Sequence, residues 1–595
     1  MPLALIMITR TAALASILAS ALATEPNPPT WPSSVQIFTL DTSPSDIKKA
    51  VDAAFSNNGG DCDLGQFSTE RYAFLFAPGT YTTDVPVGFY TSVYGLGTSP
   101  GETVFTGDKG VFAESACNWF QIGSLDTFWR SAENFRSEAT HAWAVGTGMT
   151  WAVSQAAPLR NVEVANDLLF FEYIEGDAAG YASGGWVSGA DVGGSVSFGS
   201  QQQFMVRSSK ASSFDKPVWN GVFAGTEGAP SAQCGSSGDT SEPSISVEES
   251  VPLNAEKPFV KYEDGGKFSL VIPSVEKDAV GVPVDNNATV VGFESVYVAS
   301  SSDSAKTINE KLDSGLHVVL SPGIYHLEDS IAITKPDMVL LGLGFATLIS
   351  PSNGKPCITI GDVDGVRVAG VLLEAGAWST KGAMLQVGET GTYAGSESNP
   401  TVLSDVFARV GGPSTGVGPV ETMFLIQNGY TVIDNTWLWR ADHYNNPDGG
   451  DDLPVKNYDN AAKNGVVVSA DNVYAYGLAA EHTTEDNVIW NGDAGTVFFY
   501  QAEINYDTTE DVWDHSCLVV GQGVKSFYGT GLGCYSYFRD HAAVAEKGID
   551  TGGNPAFIDK AVSVWLNGMD GSSIKNVIDG DGLNVDETSH VAYSC

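Results

Sequence analysis

The stretches Phe74–Tyr81 (FLFAPGTY) and Val318–Tyr325 (VVLSPGIY) share one pattern and decide the fold. Each is followed by a second shared motif, Val93–Gly97 (VYGLG) in the first half and Val339–Gly344 (VLLGLG) in the second. The PGxY motifs lie 244 residues apart and the GLG motifs 247 residues apart. Two motifs that recur in the same order at nearly one offset indicate that a structural unit occurs twice in the chain.

Short β-branched and aromatic runs, separated by Gly, Asn and Asp, fill the rest of the sequence. Each run spans about four to seven residues, and the runs recur roughly every 20 to 25 residues, which is typical of the coils of a parallel β-helix. A β-sandwich would need turn signals about every 8–12 residues and is the second choice. We therefore predict an all-β protein with two tandem parallel β-helix domains.

Segments of different composition bound the two units. At the start of the chain, Arg10 precedes an apolar stretch that ends in the small residues Ala21-Leu22-Ala23, which predicts a secretory signal peptide. A later stretch, 234–257, is rich in Ser, Glu and Pro, lacks apolar periodicity and predicts a linker. The predicted signal peptide, first β-helix domain, linker and second β-helix domain cover 1–23, 30–233, 234–257 and 258–595. We expect a secreted protein.

The charge balance limits the partners. The 595 residues include 30 Lys and Arg against 71 Asp and Glu, a formal net charge of −41. Because such a surface repels phosphate backbones and anionic lipids, we expect neither nucleic acid nor a membrane as a partner. The seven cysteines show no CxxC spacing and the eight histidines form no HExxH motif, so we expect no metal and no cofactor. Some cysteines are expected to pair outside the cell, and the protein is expected to be a monomer.

The densest polar cluster lies in the second unit. Glu481 and Glu503 are 22 residues apart, close to one coil, so both carboxyls can project from adjacent rungs about 4.8 Å apart. Hydrolysis of a glycosidic bond needs one carboxyl that stays protonated near neutral pH, and a neighbouring carboxylate raises a pKa in this way. The spacing alone leaves open that the glutamates cap turns or pair with Arg440 and Lys463. Four aromatic side chains nearby suit the CH faces of sugars: Trp439, Trp490, Tyr500 and Tyr506.

Four short motifs resemble those of the secreted exo-β-1,3-glucanases, or laminarinases, of glycoside hydrolase family 55. They are Trp151–Ala156 (WAVSQA), Gly184–Ser188 (GGWVS), Trp439–His443 (WRADH), and the pair Ala480–His482 (AEH) with Tyr500–Tyr506 (YQAEINY). The resemblance implies two right-handed β-helices in tandem and an inverting hydrolase that removes glucose from chain ends. It also implies a laminarin-type β-1,3-glucan as the substrate.

The same resemblance implies roles for individual residues. Glu503 matches the general acid that protonates the leaving oxygen, and Glu481 matches a second carboxylate in the same pocket. Gln155 and Ser188 match polar groups that hold the attacking water and relay its proton. The glucose-binding subsite is expected to include Trp439, Asp442, His443 and Tyr506. The site would then lie at the junction of the two helices.

Two other functions fit the same scaffold. One is a β-helix polysaccharide lyase, or a hydrolase of another glycan; a lyase of the pectate type uses a basic site, whereas this chain has ten Arg without a cluster. The other is a non-catalytic glycan-binding protein. Such a protein needs the aromatic residues but not the acid, so the two glutamates and the Gln155 segment favour an enzyme.

Overall fold

The computed structural model describes residues 24–59, 65–115, 123–144, 146–174, 178–239, 241–284 and 286–595. The predicted signal peptide, residues 1–23, lies outside the described residues, as do Cys62 and Cys117. Long parallel sheets dominate both halves of the chain, so the predicted fold of two tandem parallel β-helices is confirmed. Among the described residues, no helix is long and apolar enough to cross a membrane.

The first half is built on one sheet of 15 strands. All of its strand pairs are parallel except the pair between Thr147–Thr150 and His141–Ala142. In chain order, the strands are Val35–Phe38, Tyr72–Phe76, Gly79–Tyr81, Thr91–Gly95, Thr103–Phe105, Arg130–Ser137, His141–Ala142, Thr147–Thr150, Leu159–Val164, Asp167–Leu169, Gly185–Ser197, Gln203–Arg207, Lys210–Phe214, Asn220–Ala224 and Ser244–Glu248.

The second half has two long sheets whose inward side chains share one hydrophobic core. The larger sheet has 12 strands and is parallel except at its last pair. Its strands are Val296–Ala299, His317–Leu320, Ile324–His326, Val339–Ile349, Arg367–Glu374, Thr401–Val410, Thr431–Arg440, Tyr474–Glu481, Gly495–Glu503, Phe527–Ser536, Ile558–Trp565 and Val591–Ser594. The strands of the smaller sheet are Ile331–Ile333, Ile358–Ile360, Thr380–Val387, Val420–Ile426, Ala462–Val468, Val488–Trp490, Leu518–Val520 and Ile549–Asp550.

Short sheets complete the fold. They pair Val85–Pro86 with Val111–Phe112, Tyr173–Ile174 with Ala178–Ala179, Val251–Ala255 with Val275–Ala279, and His443–Tyr444 with Leu453–Pro454. Two sheets of three strands consist of Phe259–Glu263, Lys267–Ile272 and Thr289–Gly292, and of Val512–Trp513, Val544–Ala545 and Ser573–Ile574.

The repeated sequence motif forms the same hydrogen bonds in both halves. The hydroxyl of Tyr81 donates to the carbonyls of Phe38 and Ala77 at 3.0 and 2.8 Å. The hydroxyl of Tyr325 donates to the equivalent carbonyls of Ala299 and Ser321 at 3.1 and 2.9 Å. The tyrosine of each PGxY motif therefore ties two neighbouring turns of the chain together through buried backbone carbonyls.

A helix precedes the PGxY motif in each half, as the sequence pattern predicts. The helix Pro44–Asn57 is capped by the side chain of Ser43, which accepts from the backbone of Asp46. The helix Ala305–Asp313 is capped in the same way by Ser304. Each helix buries one apolar face against its coil, with Ile47 and Val51 in the first and Ile308 in the second.

The segment 234–257, predicted to be a linker, contains two strands. Ser244–Glu248 pairs with Asn220–Ala224 and extends the large sheet of the first half. Val251–Ala255 pairs with Val275–Ala279 in a separate antiparallel ribbon. The connection between the halves is thus built of strands, which the many Ser and Glu residues of this stretch conceal in the sequence.

Buried charges join the two halves. Arg160 binds Asp405 at 2.7 Å and Asp434 at 2.8 Å, and Arg207 binds the same Asp434 at 3.0 Å and Glu256 at 2.7 Å. Both arginines come from the first half, whereas both aspartates come from the second. All of these side chains except the partly exposed Glu256 are almost completely buried.

Two disulfide bonds lie in the described part of the chain. One joins Cys234 to Cys595, 361 residues apart, and the other joins Cys517 to Cys534. The first ties the end of the chain to the segment that follows the first unit. The thiol of Cys357 is free and buried in the core of the second unit.

Candidate active site

A cavity of about 520 Å³ lies between the two halves, a volume within the usual range of roughly 300–1,000 Å³ for ligand sites. The first half contributes Leu125, Asp126, Phe128, Gln155, Tyr181, Ser183, Gln202 and Trp219 to its lining. The second half contributes Trp437, Trp439, Asp442, His443, Glu481, His482, Glu503, Tyr506, Tyr537, Trp565, Leu566, Asn567 and His590. The cavity is therefore complete only when both halves are present.

The ends of neighbouring strands set the central side chains of the cavity. Glu481 is the last residue of Tyr474–Glu481, Glu503 is the last residue of Gly495–Glu503, and the two are direct partners in the parallel register. Trp439 is the partner of Glu481 on the other side. These three side chains thus stand in one row, as the 22-residue spacing of the glutamates predicts.

Both oxygens of the Glu481 carboxyl accept hydrogen bonds. Gln155 Nε2 donates to Oε1 at 3.0 Å, across the junction of the halves, and Trp437 Nε1 donates to Oε2 at 2.7 Å. Burial raises the pKa of Glu481 to about 7, although these hydrogen bonds oppose the rise. Glu481 is therefore held firmly in place and changes charge near neutral pH.

The Glu503 carboxyl is buried beside other negative charges. Gln501 Nε2 donates to Oε1 at 3.2 Å, and the hydroxyl of Tyr506 donates to Oε2. Burial, followed by the charges of Glu481 and Asp442, raises the pKa of Glu503 well above its usual range. Glu503 therefore keeps its proton to higher pH than an ordinary glutamate, which is what a general acid requires.

The two basic residues that the sequence offered as partners of the glutamates bind elsewhere. Arg440 forms an ion pair with Asp507 at 2.8 Å, and Lys463 lies 3.3 Å from Glu421 and 3.7 Å from Glu485. The alternative in which Glu481 and Glu503 serve as counter-ions of Arg440 and Lys463 is therefore wrong.

Asp442 and His443 form an ion pair at the same end of the cavity. His443 Nδ1 lies 3.0 Å from Asp442 Oδ1, and His443 Nε2 lies 2.9 Å from the side-chain amide of Gln66. Burial alone would lower the pKa of His443, but the Asp442 carboxylate outweighs it and raises that pKa to about 9. Burial opposes the ionisation of Asp442 too, but His443 holds the pKa of Asp442 below its usual range. The pair is therefore charged at neutral pH.

His482 lies between the acidic groups but is neutral. Its Nε2 atom is 3.8 Å from Glu481 Oε2, 3.9 Å from Glu503 Oε2 and 3.9 Å from Asp442 Oδ1. Burial lowers the pKa of His482 to about 4, so it adds no charge that would lower the pKa of Glu503. Its backbone has a φ of 61°, uncommon for a residue other than glycine.

Two tryptophans at one end of the cavity belong to an aromatic stack. Trp437 and Trp439 lie 5.1 Å apart with an angle of 24° between their planes, and Phe67 stacks on Trp439 at 6.4 Å. Trp439 and Tyr506 both line this cavity. The expectation that Trp490 and Tyr500 offer faces to sugars is wrong, because both side chains point into the core. The Tyr500 hydroxyl donates there to the carbonyl of Cys517 at 2.6 Å.

Ser188 lies outside the cavity lining, whereas a nearby serine lies within it. Ser188 is aligned with Arg160 and Arg207 on adjacent strands, and its buried hydroxyl has no partner among the described residues. Ser183 lines the cavity and donates to Gln155 Oε1 at 2.6 Å. The structure therefore brings Gln155 together with Ser183 rather than with Ser188.

Sequence reasoning missed Ser183, His482 and Gln66. Ser183 directly precedes the motif Gly184–Ser188, and His482 belongs to the motif Ala480–His482, so both had a signal in the sequence. Gln66 had none. Within the described part of the chain, no group of three or more His, Cys, Asp or Glu side chains is arranged to hold a metal ion.

The raised pKa of Glu503 predicts a stability change that depends on pH. The unfolded chain releases this proton above its ordinary pKa of 4.5, whereas the folded chain keeps it to higher pH, so rising pH favours the unfolded state. Glu503→Gln removes that penalty. We expect the variant to melt at the same temperature as the parent at pH 4 and at a higher temperature at pH 8, by differential scanning calorimetry.

The control for this experiment is Glu421→Gln, which changes an exposed glutamate paired with Lys463. Glu421→Gln should melt at the same temperature as the parent at both pH values. A Glu503→Gln variant that is less stable than the parent at pH 8 would mean that the Glu503 carboxyl is ionised in the folded protein.

Comparisons with known proteins find a matching family model and a related enzyme. The family model described as the LAM55 pectate lyase-like domain matches residues 296–503. An exo-β-1,3-glucanase from Streptomyces sp. strain SirexAA-E is 37% identical over 522 residues, which is 86% of this chain and 80% of that protein.

Two solved structures from the same organism are similar along almost the whole chain. Each is 33% identical and covers 96% of this chain. The structure of sacteLam55A is covered to 99% with a TM-score of 0.84. A glutamate-to-alanine variant of sacteLam55A in complex with glucose is covered to 98% with a TM-score of 0.83.

Proposed function

The chain belongs to glycoside hydrolase family 55, and from this membership we propose that it removes glucose from the ends of β-1,3-glucan with inversion of configuration. It is an exo-β-1,3-glucanase, like the Streptomyces enzyme to which it is 37% identical. The observation that carries the acid catalysis is the pair of buried carboxyls, Glu481 and Glu503, on adjacent strands of one cavity, whereas inversion is proposed from the family membership.

Glu503 is the general acid of the proposed reaction. Its high pKa keeps the proton available, and the proton passes to the glycosidic oxygen as the bond to the sugar breaks. Tyr506 and Gln501 hold the carboxyl in position through one hydrogen bond to each oxygen. His482, being neutral, leaves this proton in place.

Glu481 suits a base better than a nucleophile. Its two oxygens already accept hydrogen bonds from Gln155 and Trp437, which restrains the carboxyl from approaching the sugar. A water bound at Gln155 attacks the anomeric carbon from the opposite face and gives its proton to Glu481. A carboxylate with a pKa of about 7 accepts that proton more readily than an ordinary one. Because water attacks directly, the configuration is inverted.

The substrate is proposed to run along the coil axis. Trp439, Asp442 and His443 lie on the rungs before Glu503 and would bind the glucose to be released. Tyr537 and Trp565 lie on the rungs after Glu503, since Tyr535 and Trp565 belong to the next two strands of the sheet. The leaving glucan chain would lie on these two aromatic side chains.

We place the protein outside the cell. The two disulfide bonds support an oxidising compartment, and the composition of residues 1–23 supports export through a signal peptide. We further propose that the enzyme acts as a monomer, since one chain already supplies the cavity lining from both of its halves.

The stereochemistry of the product tests the proposed mechanism. Hydrolysis of laminarin, followed by proton NMR during the first minutes, is expected to show α-glucose before mutarotation produces the β anomer. Initial release of β-glucose would exclude inversion. Methyl β-glucoside in the same tube would serve as the reference for the anomeric signals. A sample with boiled enzyme, which should leave this compound intact, is the blank.

Ser183 is expected to affect turnover through Gln155. Its hydrogen bond at 2.6 Å fixes the amide that is proposed to hold the attacking water. Loss of a hydrogen bond worth about 1–1.5 kcal/mol corresponds to roughly tenfold in rate, so Ser183→Ala should lower kcat on laminarin about tenfold. Ser188→Ala is the matched control and should leave kcat within about twofold. If Ser188→Ala instead lowered kcat more than Ser183→Ala, the attacking water would be assigned to Ser188.

A further inference from the structure

A small chamber of about 20 Å³ lies behind the wall of the main cavity. Roughly 10–15 Å³ is enough for one water when polar groups surround it. Gln155, Ser183 and Trp437 border both the chamber and the main cavity. Only the side chains that bind Glu481 therefore separate the chamber from this carboxyl.

Three polar atoms of chamber residues have no hydrogen-bond partner among the described residues. They are Trp186 Nε1 and Gln203 Oε1 from the first half and Gln501 Oε1 from the second. All three side chains are buried, with at most 4% of each residue exposed. One donor and two acceptors match a water molecule, which accepts one hydrogen bond and donates two.

The Trp186 indole packs directly on the backbone of Gly477 at one side of the chamber. Gly477 borders the chamber and has a φ of 75°, which disfavours any residue with a side chain. A Cβ atom at this position would lie 2.4 Å from Trp186 Cδ1 and 2.8 Å from Trp186 Nε1. A side chain at 477 would therefore displace the Trp186 indole, and glycine keeps the indole at the chamber.

Gln501 links the chamber to both carboxyls. Its Nε2 atom donates to Glu503 Oε1 at 3.2 Å, and the same side chain lies near enough to Glu481 to lower the pKa of that carboxyl. Because the amide nitrogen faces two carboxyl groups, the amide oxygen faces the other way, toward the chamber. A partner for that oxygen would keep the amide from rotating.

We propose that the chamber binds one water, bonded to Trp186, Gln203 and Gln501, and that this water makes Gln501 a positioning residue for Glu481 and Glu503. The proposal rests on the proposed function for the roles of the two glutamates. Without the water, the Gln501 oxygen would seek another donor and turn toward the carboxyls. Glu503 would then face an acceptor in place of the Gln501 N–H donor, and the separation of the two carboxyls would no longer be fixed.

A crystal structure at high resolution tests the binding site directly. We expect one ordered water within hydrogen-bond distance of Trp186 Nε1, Gln203 Oε1 and Gln501 Oε1. A chamber without water, or a Gln501 amide turned with its oxygen toward Glu503, would overturn the proposal. This measurement does not depend on activity, so it is separate from the test of the catalytic roles.

Two variants test the positioning role. Gln501→Met keeps the length of the side chain and removes both amide groups, whereas Trp186→Phe removes only the N–H group that faces the chamber. Asp442, His482 and Tyr506, the other titratable groups that face the two carboxyls, stay unchanged in both. We expect Gln501→Met to lower kcat about tenfold with little change in KM and to shift the pH limits of kcat. Trp186→Phe should shift the same limits less.

The control is Trp513→Phe, which removes another buried indole N–H that has no partner among the described residues, at a distant strand. It should keep the pH profile of the parent even if it lowers the melting temperature. If Gln501→Met shows the kcat and pH profile of the parent, the positioning role is wrong. If Trp186→Phe does not fold, Gln501→Met and the crystal structure still decide. Full activity of Glu503→Gln would instead refute the proposed function and leave the water site standing.

Discussion

Glu503→Gln is expected to lower kcat on laminarin by about 10²- to 10⁴-fold, the range for loss of a general acid. Glutamine has nearly the same shape and can still accept the Tyr506 hydrogen bond, so the fold and the binding of glucan should persist. The leaving sugar oxygen, however, would have no proton donor. The measurement is glucose release from laminarin at saturating substrate, with circular dichroism to verify folding.

Substrates with different leaving groups separate this role from a structural one. An aryl β-glucoside whose phenol is acidic needs no proton on departure, so Glu503→Gln should lose much less activity on it than on laminarin. Glu421→Gln, at an exposed position, is the matched control and should behave like the parent on both substrates. Equal losses on the two substrates would argue against Glu503 as the acid.

Arg160→Met is expected to lower the free energy of unfolding by about 3–5 kcal/mol, since removing one partner of a buried ion pair leaves its counter-ions uncompensated. Methionine fills much of the same volume, so the loss comes mainly from charge. Asp405 and Asp434, both almost completely buried, would each lose their hydrogen bonds to the guanidinium. Urea unfolding at pH 7 measures the difference.

The destabilisation caused by Arg160→Met should be smaller at low pH. In the parent, burial opposes ionisation of Asp405, but Arg160 and Lys257 outweigh it and lower the pKa of Asp405. Without Arg160 that pKa rises, so protonation at pH 4 relieves part of the damage and the gap to the parent should narrow. Lys48→Met, which breaks the exposed pair with Asp52, should cost no more than about 1 kcal/mol. A loss equally small for Arg160→Met would show that the buried network adds little to stability.

The fold could be predicted because its repeat is local. The PGxY and GLG motifs mark the same place in each half, and their tyrosines make the same backbone hydrogen bonds. The strands of 234–257 could not be predicted, since Ser244–Glu248 gains its stability from pairing with a distant strand rather than from its own composition.

The candidate site was predictable where it follows the coil. Glu481 and Glu503 are one rung apart, so their spacing in sequence gives their spacing in space. Tyr500 lies on the same strand, but its side chain points to the opposite face, into the core, and composition does not show that difference. The meeting of Gln155 with Glu481 depends on how two distant halves dock. Only the family resemblance pointed to it.

The bond between Cys234 and Cys595 closes a loop that contains the whole second unit. A protease that cuts the backbone once, anywhere between these two cysteines, leaves the two fragments covalently connected. A nicked molecule would therefore keep its two fragments linked as long as this bond is intact, and could go on degrading glucan.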